Sequence, residues 1–278
     1  LLWIGLKEDE AIRESNISPP EGSSFNPNVV QRLNNIMENS PNQKRAIITG
    51  ASSGIGKAVA IKFAQAGIDV CLIARSTQKL DEVAKIVADY GVQVKTHPFD
   101  LEEVSQVQGA IANIVTQWGG IDILVNNAGI AYTNLLRETP LEDWQRVINL
   151  NLTSVFQCIM GVLPTMRKQQ QGTIINVASI AANSPFPEWG TYAVSKAAMV
   201  TLGQSLAMEE RSNGIRVTTV SPGAVNTPIW DTDTVNADLN RSAMLTPEIV
   251  AETILHAALL PQSAVIENLT VTPSLGAL

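Results

Sequence analysis

The sequence predicts a doubly wound α/β domain: a mostly parallel, seven-stranded sheet with helices on both faces. Two observations predict it. Short runs that are apolar throughout alternate with longer stretches of helical period, and a glycine-rich loop joins the first run to the first helix. Strands apolar at every position are covered on both faces, as in a parallel sheet between helical layers. The 278 residues suffice for one large domain, and 45% hydrophobic against 16% charged residues gives enough apolar side chain to offset the entropy of ordering the chain.

Residues 1–43 stand apart from this pattern. The stretch 18–24 is turn-rich, and Pro27 and Pro41 break helical continuation. This N-terminal extension reads either as a mobile arm or as one short amphipathic helix through Val29, Val30, Leu33, Ile36 and Met37. From residue 44 onward the alternation runs without a linker. A strand at 46–48 precedes a helix at 55–66, 70–73 precedes 77–89, and 92–94 precedes 102–118. Further strands fall at 121–125, 173–177, 215–220 and 265–271, with helices near 141–168, 190–212 and from Pro247. Residues 44–278 are therefore read as a single domain.

Nineteen Lys and Arg against 26 Asp and Glu leave a net charge of −7, which disfavours nucleic acid and anionic membrane surfaces as partners. Cys71 and Cys158 lie in apolar runs and read as reduced core residues, too few for a disulfide framework. No apolar run is seen to reach the ~18 residues of a membrane span, and the apolar start at 1–6 lacks the basic flank of a signal peptide. A cytoplasmic location is expected. His97 and His256 are far apart, without acidic spacing around them, so they read as structural and no metal site is expected.

The loop after the first strand reads Thr49-Gly50-Ala51-Ser52-Ser53-Gly54-Ile55-Gly56. Its glycines allow a tight turn and let backbone N–H groups approach a pyrophosphate at the helix N-terminus. With Thr49 before it, the spacing Gly-x-x-x-Gly-x-Gly resembles the loop of the short-chain dehydrogenase/reductase family. Asn126-Asn127-Ala128-Gly129, Ser179, Tyr192-Ala193-Val194-Ser195-Lys196 and Ser221-Pro222-Gly223 resemble further motifs of that family, in order, across roughly residues 44–271. The resemblance implies a Rossmann-type fold whose one domain both binds the dinucleotide and carries catalysis. It also implies hydride transfer between a nicotinamide and a carbonyl or secondary alcohol.

The same resemblance assigns cofactor contacts to Gly50, Ser52, Ser53, Gly54, Ile55 and Gly56, to Asp100 and Leu101 near the adenine, and to Asn127, Ala128 and Gly129 along the adenosine side. Pro222, Gly223, Val225 and Thr227 would frame the carboxamide and phosphates. Asp100 reads equally as the N-cap of a helix starting at Leu101 or Glu102, and the two roles can coexist. Where members that use NAD carry an acid, this chain has Ala74 followed by Arg75. A guanidinium holds a 2′-phosphate that a carboxylate would repel, so NADP(H) is the favoured cofactor. Arg75 as a solvated surface charge is the competing reading. Lys57 is read as solvent-facing.

Tyr192 and Lys196, four apart on a helical pattern, share a helix face. An ammonium there favours the phenolate of a side chain whose free pKa is about 10. Ser179 precedes Tyr192 by 13 residues and ends the fifth strand, where ligands bind in open α/β sheets. The resemblance implies that Tyr192 exchanges the proton of the substrate oxygen, that Ser179 bonds the same oxygen, and that Lys196 holds the nicotinamide ribose and lowers the tyrosine pKa. Tyr192 and Lys196 thus count among the cofactor contacts, and Ser179 and Tyr192 among the substrate contacts. Asn151 matches the family's asparagine that holds a water linking the lysine to solvent, with a purely structural asparagine as the alternative. Ser179 has no histidine partner, which argues against a hydrolase.

The Asp-rich segment 224–246 reads as a lid over the substrate, and the loop 181–190 adds Phe186 and Trp189 to the same cleft. A small or medium, mostly apolar carbonyl compound is the expected small-molecule substrate. The C-terminus lacks the Gly-Gly ending usual in acyl-carrier reductases of the family, and 245–248 before it looks like the branch acting on 3-hydroxy acids, amino-acid alcohols and ketones. A 3-oxoacyl thioester reductase is the alternative. A non-catalytic NADP-binding redox sensor is disfavoured because the tyrosine and lysine are both present. Helices near 141–168 and 190–212 look like those through which the family forms homodimers and homotetramers.

Overall fold

The computed structural model describes residues 43–237 and 240–276. The amphipathic helix expected between Val29 and Met37 lies outside the described residues. Seven strands form one sheet: β1 Arg45–Thr49, β2 Asp69–Ala74, β3 Val94–Pro98, β4 Ile123–Asn126, β5 Gly172–Val177, β6 Ile215–Pro222 and β7 Asn268–Val271. Their order is β3-β2-β1-β4-β5-β6-β7, and every pairing is parallel. The helices are α1 Gly54–Gln65, α2 Thr77–Ala88, α3 Val104–Trp118, α4 Leu141–Ile148, α5 Ser154–Gln169, α6 Gly190–Glu210 and α7 Pro247–Leu259.

The two-residue period of a strand sends neighbouring side chains to opposite faces. Ala46 and Ile48 enter one core with Phe63 of α1, Leu80 of α2 and Ile254 of α7. Ile47, between them, enters a second core with Ile111 of α3, Ile159 of α5 and Met199 of α6. Both faces of the sheet are thus covered, which is why its central strands are rich in apolar residues, although Asn126, Asn176, Thr218 and Thr219 are buried in them too. Cys71 and Cys158 are free thiols in the second core, and burial pushes each up to about 12.

Two expectations need correction. The third strand is Val94–Pro98, not 92–94. It is an edge strand, paired only with β2 and half exposed, so it lacks the continuous apolar signature and tolerates a proline. The N–H of Gln93, just before it, donates to the Asp69 carboxylate at 2.8 Å. The helix expected from Leu101 or Glu102 starts at Val104, with Glu103 at its N-cap. Asp100 instead accepts the Glu102 N–H at 2.9 Å in the preceding turn, so it is not the cap.

Within 141–169 an 18-residue window of mean hydropathy 1.5 is long and apolar enough to cross a membrane by length and composition alone. In the fold this stretch is two helices joined by a π-turn at Asn149–Thr153. Val155, Cys158, Ile159, Val162 and Met166 of α5 all sit in the second core, and α5 packs on α3. It is a core helix of the domain.

Candidate active site

Strand order reverses between β1 and β4, and there the C-terminal ends of the strands open a crevice. Thr49, last in β1, donates its hydroxyl to the Val125 carbonyl at 3.3 Å and accepts the N–H groups of Asn127 and Ala128, each at 3.0 Å. Asn127 returns its side-chain amide to the Thr49 carbonyl at 3.0 Å. These bonds fix the glycine loop against the loop after β4. Gly50 and Gly54 have φ of 66° and 52°, the left-handed region that favours glycine. A Cβ on Gly56 would collide with the Gly50 carbonyl and come to 2.5 Å from Asn127 Nδ2. Gly56 therefore acts beneath the loop and is absent from the cleft wall.

Ser53, the N-cap of α1, is extended and makes no side-chain cap bond, and the first turn holds no acid. The leading N–H groups of α1 thus carry the helix's partial positive charge toward the cleft without an internal partner. This bare, glycine-walled cradle fits an anionic pyrophosphate.

The cleft measures ≈830 Å³ and runs from this cradle to the ends of β5 and β6. Of the residues singled out in the sequence, the cleft wall brings together Gly50, Ser52, Ser53, Gly54, Ile55, Arg75, Asp100, Leu101, Asn127, Ala128, Gly129, Ser179, Tyr192, Lys196, Pro222, Gly223, Val225 and Thr227. Gly56 and Asn151 stand behind it. At the β2 end Ala74 and Arg75 are joined by Ser76 and Lys79, which sequence reading passed over. Ser76 caps α2 by accepting the Lys79 N–H at 3.3 Å. Arg75 is 60% exposed and pairs with Glu102 at 3.4 Å; Glu102 also pairs with Arg146 at 3.3 Å.

At the other end, Ser179 closes the turn Ile180–Ala182 by accepting the Ala181 N–H at 3.1 Å, which leaves its own O–H free to donate. Lys196 is 4% exposed, and its ammonium donates to the Val177 carbonyl at 2.8 Å, 5.7 Å from the centre of the Tyr192 ring. Burial lowers Lys196 to about 8. Burial also raises the Tyr192 phenol above its ordinary value, and the Ser179 side chain, as a hydrogen-bonding neighbour, pulls it back. The lowering expected of the Tyr192 phenol belongs to Lys196 together with the oxidised nicotinamide; with the side chains alone, desolvation dominates.

Asn151 is fully buried in the π-turn. Its amide nitrogen donates to the Ile130 carbonyl at 2.9 Å and to Ser195 Oγ at 3.0 Å, and its oxygen accepts the Ile130 N–H at 2.9 Å. Ser195 in turn donates to the Tyr192 carbonyl at 2.7 Å. Asn151 thereby ties the loop after β4 to the helix carrying Tyr192 and Lys196. Its amide donors are spent, leaving one oxygen lone pair and the backbone carbonyl to engage a water.

The segment 224–246 is tied within itself and to the loop after β4. Arg241 donates to Asn226 Oδ1 at 2.8 Å, to Asp231 Oδ1 at 2.9 Å and to the Thr227 carbonyl at 3.0 Å. Thr234 Oγ donates to the Ala131 carbonyl at 2.8 Å. Lys57 is half-buried in α1 and does not line the cleft, and His97 and His256 lie away from it. Among the described residues no three His, Cys, Asp or Glu side chains are grouped to hold a metal ion.

Comparison with known proteins shows the family. The short chain dehydrogenase family matches residues 44–237. An uncharacterized oxidoreductase of Staphylococcus epidermidis is 31% identical over 231 residues, 83% of this chain and 97% of that protein. A 3-oxoacyl-[acyl-carrier-protein] reductase of Staphylococcus aureus is 36% identical over 189 residues, 68% of this chain and 77% of its own length. Among solved structures, an alcohol dehydrogenase from the archaeon Thermococcus sibiricus, complexed with 5-hydroxy-NADP, superposes with a TM-score of 0.77 at 27% identity, over 84% of this chain and 98% of that one. With the cradle, the Ser179, Tyr192 and Lys196 cluster and a family match over most of its length, the chain belongs to the short-chain dehydrogenases, a family of oxidoreductases.

Proposed function

We propose that the protein is an NADP(H)-dependent carbonyl reductase or alcohol dehydrogenase acting on a small or medium, mostly apolar carbonyl compound or secondary alcohol, of ketone, aldehyde or 3-hydroxy acid type. The observation that carries this reading is one cleft lined by the uncapped N-terminus of α1, by Arg75 and by Ser179, Tyr192 and Lys196. The glycine cradle would hold the pyrophosphate. Arg75, Ser76 and Lys79 offer donors to a 2′-phosphate, and no acid follows β2 to repel it. The bound nicotinamide supplies or accepts the hydride. Tyr192 gives its proton to the carbonyl oxygen in reduction and takes it back in oxidation. Ser179 donates its O–H to the same oxygen as charge develops there. Lys196 holds the ribose hydroxyls and contributes positive charge beside the phenol. Asn151 and Ser195 keep the Tyr192 and Lys196 helix in place against the loop after β4.

Titrating NADPH and NADH into the protein, followed by nicotinamide fluorescence, tests the cofactor reading. Tighter binding of NADPH, with the preference lost in Arg75→Ala, supports it; binding of neither overturns the reading as an enzyme. The Staphylococcus aureus relative favours a second reading, reduction of 3-oxoacyl thioesters. Turnover confined to acyl thioesters would select it over the first. We further propose a homo-oligomer through α5 and α6, whose Phe156, Val194 and Met208 are exposed.

A further inference from the structure

We infer that the substrate carries a flat, uncharged aromatic group next to its carbonyl, received by a wall of two indoles, Trp189 and Trp230. This deepens the proposed function and rests on it. Trp189 packs edge-on against the Tyr192 ring with centroids 5.5 Å apart, and Trp230 packs edge-on against Trp189 at 5.7 Å. Both indoles line the cleft. The aromatic surface therefore starts at the proton-transferring phenol and extends away from it. A ring attached to the carbonyl carbon would meet aromatic edges and faces at the separations such pairs prefer.

The wall is rigid and presents carbon. Trp230 spends its indole N–H on the Val225 carbonyl at 2.7 Å, and the segment carrying it is pinned by Arg241 and by Thr234. Ile130, Ile229 and Phe186 line the cleft along with it. Among the described residues lining the cleft, the cations Arg75 and Lys79 stand at the far β2 end, and Lys196 donates to Val177 beside the phenol. Arg241 donates to Asp231, Asn226 and Thr227. Asp231, in the cleft wall, is ion-paired with Arg241 at 2.9 Å. Along the indole wall, acidic ketones and the phosphate-bearing arms of acyl thioesters therefore meet mostly carbon.

The test compares kcat/KM for three carbonyl compounds with NADPH: acetophenone, butanone and the acetoacetate anion. It uses the wild-type chain, Trp230→Ala and Trp230→Phe, with quenching of indole fluorescence by acetophenone as a binding readout independent of turnover. The expected result is a preference for acetophenone over butanone of about tenfold or more. The ratio should collapse in Trp230→Ala and recover in part in Trp230→Phe, and the quenching should weaken in the alanine variant. Equal use of the ketones by the wild type overturns the inference and leaves the carbonyl reductase reading standing. So does a uniform loss in Trp230→Ala that keeps the ratio, because that marks Trp230 as a support of the lid only. Failure to turn over any carbonyl compound while NADPH binds removes the reductase reading and this inference together.

Discussion

Lys196 stands 5.7 Å from the centre of the Tyr192 ring, yet its hydrogen bond goes to the backbone carbonyl of Val177, at 2.8 Å. The ammonium is thus anchored to the end of β5, beside the ring but not bonded to the phenol. Burial moves the two groups in opposite directions, lysine down to about 8 and tyrosine up. A protonated phenol is the form that the proposed reduction would consume.

A pH dependence follows. Above pH about 8 the Lys196 charge is lost, so kcat/KM for carbonyl reduction should fall as pH rises through that value. Lys196→Arg, whose guanidinium stays charged, should be slower but lack that limb. A limb unchanged in this variant would assign it to another group. For stability the sign is opposite. The folded-state value lies below the unfolded one of ~10.4, so the cost of burying the ammonium is full below pH about 8 and is relieved as pH rises toward the unfolded value.

Arg75 is shared between the cleft and Glu102, which also binds Arg146. Arg75→Ala should weaken NADPH binding roughly tenfold, the scale of a lost charge-assisted bond, and leave NADH nearly unchanged. Glu102→Gln, freeing Arg75, should strengthen NADPH binding by a few-fold at most, because the pair is solvent-exposed. Fluorescence titration at fixed ionic strength measures both.

Gly56→Ala tests the fit beneath the loop. Its Cβ would strike the Gly50 carbonyl and Asn127, so the variant should lose about 1–3 kcal/mol of stability. It should also bind either dinucleotide more weakly. Urea unfolding gives the first number and titration the second.

Asn151→Leu removes three bonds from a buried site and strands the Ile130 N–H and carbonyl. Each unsatisfied group costs about 1–3 kcal/mol, so the variant should unfold at clearly lower denaturant. Ser195→Ala breaks only the link from Asn151 to the Tyr192 carbonyl. It should stay folded, and any loss should fall on kcat more than on the affinity for NADPH.

What the sequence made legible was local. Strands buried on both faces announce themselves by composition, and the glycine loop by spacing, because both constraints act within a few residues. β3 was misplaced because an edge strand has only one face to bury. The π-turn at Asn149–Thr153 had no signal because it is sustained by Ile130 and Ser195, distant in sequence. Trp230 was passed over for the same reason. It lies in a polar, Asp-containing segment, and only the folded segment sets its ring against Trp189. The direction of the tyrosine shift was also out of reach, since desolvation depends on the whole cleft.

The most direct test of the central claim is NADPH oxidation with a carbonyl substrate by the wild-type protein and by Tyr192→Phe, with NADPH binding measured on both. The account predicts carbonyl-dependent oxidation by the wild type and a loss of about 10²–10⁴-fold in the variant, with NADPH binding retained. Wild-type-like turnover in Tyr192→Phe would contradict it.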